Sequence, residues 1–135
     1  MGSKPSILLI AHGSREKQAN DEVRALALRL ESSLTGQRVF PCFLEIEPPS
    51  IIEAFRQSVE TGSNSILAFP FFLSTGAHVS RDIPALLGEC LLNYPQVTVQ
   101  ISPALGPDPT LDRVILDRLA RGGTKLELGA ELESQ

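Results

Sequence analysis

A chain of 135 residues, 42% apolar and 21% charged, has the balance of one globular domain with a modest core. Its net charge of -4 gives no basic field for nucleic acid and no attraction to an anionic membrane surface, and no apolar run is long enough to cross a bilayer. The two cysteines, Cys42 and Cys90, lack any zinc-type spacing, and the first apolar run is too short for a secretory signal, so a reduced, cytoplasmic setting is expected.

Residues 7–11 are continuously apolar, the pattern of a strand buried on both faces. From 16 to 34, Val23, Leu26, Ala27, Leu30 and Leu34 recur at helical spacing, and Gly36 supplies a stop. A second strand is predicted over 38–44. A second helix over 50–61 carries Ile51, Ile52, Ala54, Phe55 and Val59 and ends at Gly62. Residues 65–72 read as a third strand, again continuously apolar after Ser65, with Phe69, Phe71 and Phe72 as core. Pro41 and Pro70 mark strand ends, bulges or an edge. A third helix over 81–93 carries Ile83, Leu86, Leu87, Cys90 and Leu91, with Asp82 and Pro84 in its first turn. A fourth strand over 97–101 leads to a fourth helix over 109–121, with Leu111, Val114, Ile115, Leu116 and Leu119, and Asp108 as its N-cap. The polar, Glu-rich stretch 122–135 reads as a tail, leaving 1–121 as the domain. Four alternating strands and helices imply an α/β three-layer sandwich with a four-stranded parallel sheet.

Open parallel sheets bind ligands at the carboxyl ends of their strands. His12, Gly13, Ser14 and Arg15 follow the first strand. Glu45 and Glu47 end the second. Leu73, Ser74, Thr75, Gly76, Ala77, His78 and Arg81 follow the third. Both histidines of the chain thus fall on one edge, with a carboxylate on the strand between them in sequence. Two imidazoles and a carboxylate suit a borderline divalent ion such as cobalt, iron, nickel or zinc, and three protein ligands leave positions open, as a catalytic site requires. The neighbours have two readings each. Gly13 serves close approach of backbone to a ligand or a tight turn. Ser14 caps the first helix or exposes amides to an anion. Arg15 and Arg81 are solvated or bind anions, and Glu47 is a loop charge or lines the pocket.

Three segments, LLIAHGSR (8–15), FLEIEPPSI (43–51) and PFFLSTGAHVSRDIP (70–84), resemble the short form of the CbiX/SirB group of class II sirohydrochlorin chelatases. The resemblance spans about residues 6–121. It implies a flavodoxin-like fold and ATP-independent insertion of Co2+, Fe2+ or Ni2+ into sirohydrochlorin, in sirohaem- or cobalamin-type tetrapyrrole biosynthesis. By the same resemblance His12 and His78 are metal ligands, with His12 also a proton acceptor. Glu45 completes the site as ligand, base or charge balance, and the 73–77 loop contacts the tetrapyrrole. Arg15, Arg81 and amides near Ser14 and Gly76 are available to its carboxylates. The short form implies a homodimer, and the chain has no cysteine-rich segment for an iron-sulfur cluster. The lack of a phosphate-binding glycine loop agrees with independence from ATP.

Two other readings remain open in the sequence. A phosphohistidine carrier resembling mannose-type phosphotransferase IIA domains also places His-Gly after the first strand, but gives His78 and Glu45 no clear task. A non-catalytic metal- or tetrapyrrole-delivery protein would use the same ligands.

Overall fold

Strand β1, Ser6–Ala11, is the centre of the fold. In the computed structural model, which describes residues 4–129, it pairs in parallel with β2 (Val39–Phe43) on one side and with β3 (Ser65–Pro70) on the other, and β4 (Thr98–Ile101) lies beyond β3. The order β2-β1-β3-β4 is that of the flavodoxin-like sheet without a fifth strand, and its topological switch point lies between β1 and β3.

Successive strand residues point to opposite faces, so the apolar run of β1 feeds two cores. Leu8 and Ile10, with Cys42, Ile66 and Ala68, pack under helix α2 (Ile51–Glu60) through Ile51, Ala54 and Phe55, and under α3 (Ile83–Asn93) through Ile83, Leu87 and Cys90. Leu9 and Val39 meet helix α1 (Lys17–Ser33) on the opposite face, where Ala27 is buried. The three layers expected from the alternation are therefore present. Cys42 and Cys90 are both buried, and burial pushes both thiols above the ordinary range.

The helix starts differ in how they are secured. α2 begins with a capping box: Ser50 Oγ accepts from the Glu53 amide at 3.1 Å, and Glu53 Oε1 accepts from the Ser50 amide at 3.2 Å. Ser14 does not cap α1; its hydroxyl accepts from the Glu16 amide at 3.0 Å, and the helix begins at Lys17. α3 starts later than its sequence suggests, because a π-helical turn, His78–Asp82, comes first. Asp108 is not the N-cap of helix α4 (Leu111–Arg121) either. Its Oδ1 accepts from the amide and hydroxyl of Thr110, and these hydrogen bonds hold its carboxyl below the usual range. Pro41 sits in the edge strand β2 and Pro70 closes β3, the two placements a missing N–H tolerates.

Two expectations fail together. β3 is not buried on both faces: Ile66, Ala68 and Pro70 are buried, whereas Ser65, Leu67 and Phe69 are only half-buried. The cause is α4, none of whose residues is buried. Val114, Ile115, Leu116 and Leu119 stand 47% to 71% exposed. The sheet face that α4 would cover is thus shielded only where α1 reaches. Residues 122–129 are exposed, and the remainder of the expected tail lies outside the described residues. No helix among the described residues is long and apolar enough to cross a membrane.

Candidate metal centre

The ladder between β1 and β2 continues past both strands. The Leu44 amide donates to Ala11 O at 2.9 Å, and the Glu45 amide donates to His12 O at 3.1 Å. Parallel strands advance in step, so the residues that follow them arrive side by side. Gly13 makes this approach possible. Its φ is +97°, and a Cβ there would fall 1.9 Å from the carbonyl oxygen of Glu45. The close approach that a glycine permits here is therefore to the chain's own backbone.

The two side chains then meet. His12 Nε2 lies 3.0 Å from Glu45 Oε1, with the two side chains 46% and 56% exposed. The other ring nitrogen, Nδ1, lies 3.1 Å from Gly13 O. A carbonyl oxygen only accepts, so this contact is a hydrogen bond in the tautomer that carries its proton on Nδ1. Nε2 is then left facing a carboxylate oxygen, and a proton or a metal ion must reconcile the two. Two ligands each about 2.1 Å from one ion, at about 90° to 110° to each other, stand about 3.0 to 3.4 Å apart. The pair has the spacing of neighbouring ligands. It is poorly arranged for phosphoryl transfer, because the Glu45 charge repels a phosphoryl group arriving at Nε2 and Gly13 occupies Nδ1.

Glu45 also lines a cleft of about 350 Å3, shared with Leu44, Asp82, Ala85 and Leu86. Asp82 was visible in sequence only as a helix-start residue. Its signal as a site residue was its place four positions after His78, which the π-helical turn converts into a place on the cleft wall. Such turns are frequent at functional sites. The backbone of His78 opens this turn, and its side chain lies outside the described residues. Among the described residues no three His, Cys, Asp or Glu side chains converge on one point, so the structure brings together His12 and Glu45 of the expected trio.

The loop after β3 reaches the same edge. The Phe71 amide donates to Ile10 O at 2.8 Å, and the Gly106 amide to Phe72 O at 2.9 Å, which fixes the base of the loop from both sides. Leu73, Ser74, Thr75, Gly76 and Ala77 are all exposed beyond it. The carbonyl of Gly76 accepts from the Val79 and Ser80 amides at 3.1 and 3.0 Å. Arg15 is exposed and forms no ion pair among the described residues. Arg81 is exposed, 3.7 Å from Asp82. The Ser14 amide is consumed by Asn20 Oδ1 at 2.9 Å, and Glu47 is paired with Arg24 and does not line the cleft. Asn20, 2% exposed, and Arg24 were missed in sequence because both resembled ordinary polar residues of an amphipathic helix.

This is a parallel α/β protein with a histidine–carboxylate pair at the carboxyl edge of its sheet, beside the topological switch point. Residues 6–122 match the CbiX family model. The sirohydrochlorin ferrochelatase of Priestia megaterium is 32% identical over 114 residues, covering 84% of this chain and 43% of the relative. The sirohydrochlorin cobaltochelatase of Methanopyrus kandleri is 28% identical over 134 residues, covering 84% of this chain and 94% of the relative. The crystal structure of the sirohydrochlorin chelatase SirB from Bacillus subtilis subspecies spizizenii in complex with cobalt superposes with a TM-score of 0.83 at 28% identity, over 89% of this chain and 51% of that one. The chain belongs to the CbiX family. It spans about half the length of the curated ferrochelatases it matches, which cover 43% to 53% of themselves with it.

Proposed function

We propose that this chain inserts Co2+ or Fe2+, with Ni2+ a third candidate, into a sirohydrochlorin-type tetrapyrrole without ATP. One observation carries the reading: a His12–Glu45 pair at 3.0 Å on the carboxyl edge of a CbiX-family sheet. In this reading His12, His78 and Glu45 hold the metal substrate. Insertion requires two protons to leave the pyrrole nitrogens, and a neutral imidazole or a carboxylate accepts them once the metal departs toward the ring. The apolar residues Leu44, Ala85 and Leu86 beside Glu45 suit a ring edge, and the exposed 73–77 loop suits its face. Arg15 and Arg81 lie on the same edge as partners for the ring's carboxylates.

A cleft of 350 Å3 is at the lower end of small-molecule sites, and a tetrapyrrole needs a further wall. A second copy of the chain is the proposed source, as a homodimer. The uncovered apolar surface of α4 and the half-buried outer face of β3 support this, since such surface favours association. The buried, unpaired thiols Cys42 and Cys90 support a reducing compartment, the cytoplasm.

The test is to mix the protein with sirohydrochlorin and Co2+ or Fe2+ and follow the absorbance change of metallation. Acceleration over the spontaneous rate is expected, and its absence sinks the reading; ring binding without acceleration makes the protein a carrier. His12→Ala and His78→Ala are each expected to lose most of the rate while circular dichroism stays unchanged. Full activity in both variants would remove the histidines from the mechanism.

A further inference from the structure

We infer that α1 acts as the ruler of the site: Asn20 and Arg24, one helical turn apart on the same face, position the loops that carry His12 and Glu45. The inference rests on the proposed metal role of that pair. Asn20 is buried and spends both ends of its amide on one residue, accepting from the Ser14 amide at 2.9 Å and donating to Ser14 O at 2.7 Å. Ser14 cannot shift without breaking two hydrogen bonds in a buried place, where unmade bonds are costly. His12 is two residues away.

Arg24 grips the other loop on both sides of Glu45. Its guanidinium lies 5.3 Å from the centre of the Phe43 ring, two residues before Glu45. Nη2 donates to the Glu47 carboxylate and, at 2.9 Å, to Pro48 O. Nη1 donates to Asp21 at 3.2 Å, which steadies the fork from its own helix. The segment needs such a hold. Ile46 has φ +73° and centres a three-residue turn closed by the Glu47 amide on Glu45 O at 2.8 Å. A β-branched residue resists that conformation, which persists only where surroundings enforce it. The Ile46 side chain does not supply the hold, being 57% exposed. The Arg24 contacts do.

Neither Asn20 nor Arg24 lines the cleft, so both are positioning residues. The test uses the whole chain with Arg24→Met, which keeps a stem over Phe43 but lacks the donors. Arg24→Lys restores a charge without the fork. Two readouts are followed: amide hydrogen exchange by NMR without metal, and Co2+ affinity by titration. In Arg24→Met, exchange at the Glu47 amide is expected to rise at least about tenfold while the Leu8, Leu9 and Ile10 amides keep their protection. Co2+ affinity is expected to fall about tenfold, the usual scale for residues that orient ligands, with partial recovery in Arg24→Lys. Unchanged exchange together with unchanged affinity overturns the inference. Inability of the unaltered chain to bind Co2+ would instead overturn the metal reading, and exchange alone would then judge the brace. Asn20 is buried and its variants risk misfolding; Arg24 is 35% exposed, which keeps the test on a folded protein.

Discussion

Helices α1 and α4 carry the same kind of sequence and meet opposite environments. In α1, Val23, Leu26, Ala27 and Leu30 settle on Leu9, Val39 and the half-buried Phe69 and Phe71. In α4, Val114, Ile115 and Leu119 remain exposed. The difference lies in what the sheet offers. α1 crosses strands with apolar residues on that face. The edge strand β4 places Val99 against the α2–α3 core, and turns the polar, exposed Thr98 and Gln100 to the other side. An apolar helical stripe states that a face needs covering. It does not state what covers it. Two polar residues of α1, Asn20 and Arg24, reach the loops that follow β1 and β2, while the ion pairs of α4 stay within the helix, as in Arg121 with Asp117 at 2.9 Å.

The sharpest contrast between the two faces is a charge placed in each. Ala27→Glu puts a carboxylate where the side chain is 2% exposed, against Leu9 and Val39. The expected loss is on the order of 4 kcal/mol, enough to unfold most of the chain, and thermal denaturation measures it. A melting temperature close to that of the unaltered chain would mean that α1 is not docked as described.

Gly13→Ala ranks next. The new Cβ meets Glu45 O at 1.9 Å and the backbone at φ +97° resists a side chain. A destabilisation of about 2 kcal/mol or more is expected, with a metallation rate that falls further than stability alone explains, because the loop carrying His12 must move off Glu45. Equal rates for the variant and the parent would detach the pair geometry from activity. Ser50→Ala is milder. It removes one half of the α2 capping box and should cost about 1 kcal/mol in chemical denaturation without changing the metallation rate.

These sites also mark what sequence could reveal. The β1 run and the helical stripes were legible because period and apolar content follow directly from burial, and His12 was legible as the residue that follows β1. The proximity of His12 to Glu45 was legible as a shared edge, though not as a contact, since it depends on strand register. The roles of Asn20 and Arg24 were hidden, because a polar residue on a helix has the same pattern whether it meets solvent or a loop. The fate of α4 had a partial signal: the alternation Thr98-Val99-Gln100 is that of a half-buried strand, which a fully covered sheet would not need.

The smallest effect on the fold is expected at α4 itself. Leu119 is 71% exposed, so Leu119→Glu removes little burial within one chain and should alter its unfolding free energy by less than about 0.5 kcal/mol. Its effect on assembly should be large, since a charge enters the surface proposed to meet a second copy. Light scattering across a concentration series is expected to show the parent associating and the variant monomeric, with metallation falling in the variant if the second copy completes the cleft. A variant that associates as the parent does would exclude α4 from the interface. A monomeric variant with full metallation would instead separate assembly from catalysis, leaving the edge held by α1 sufficient for the chemistry.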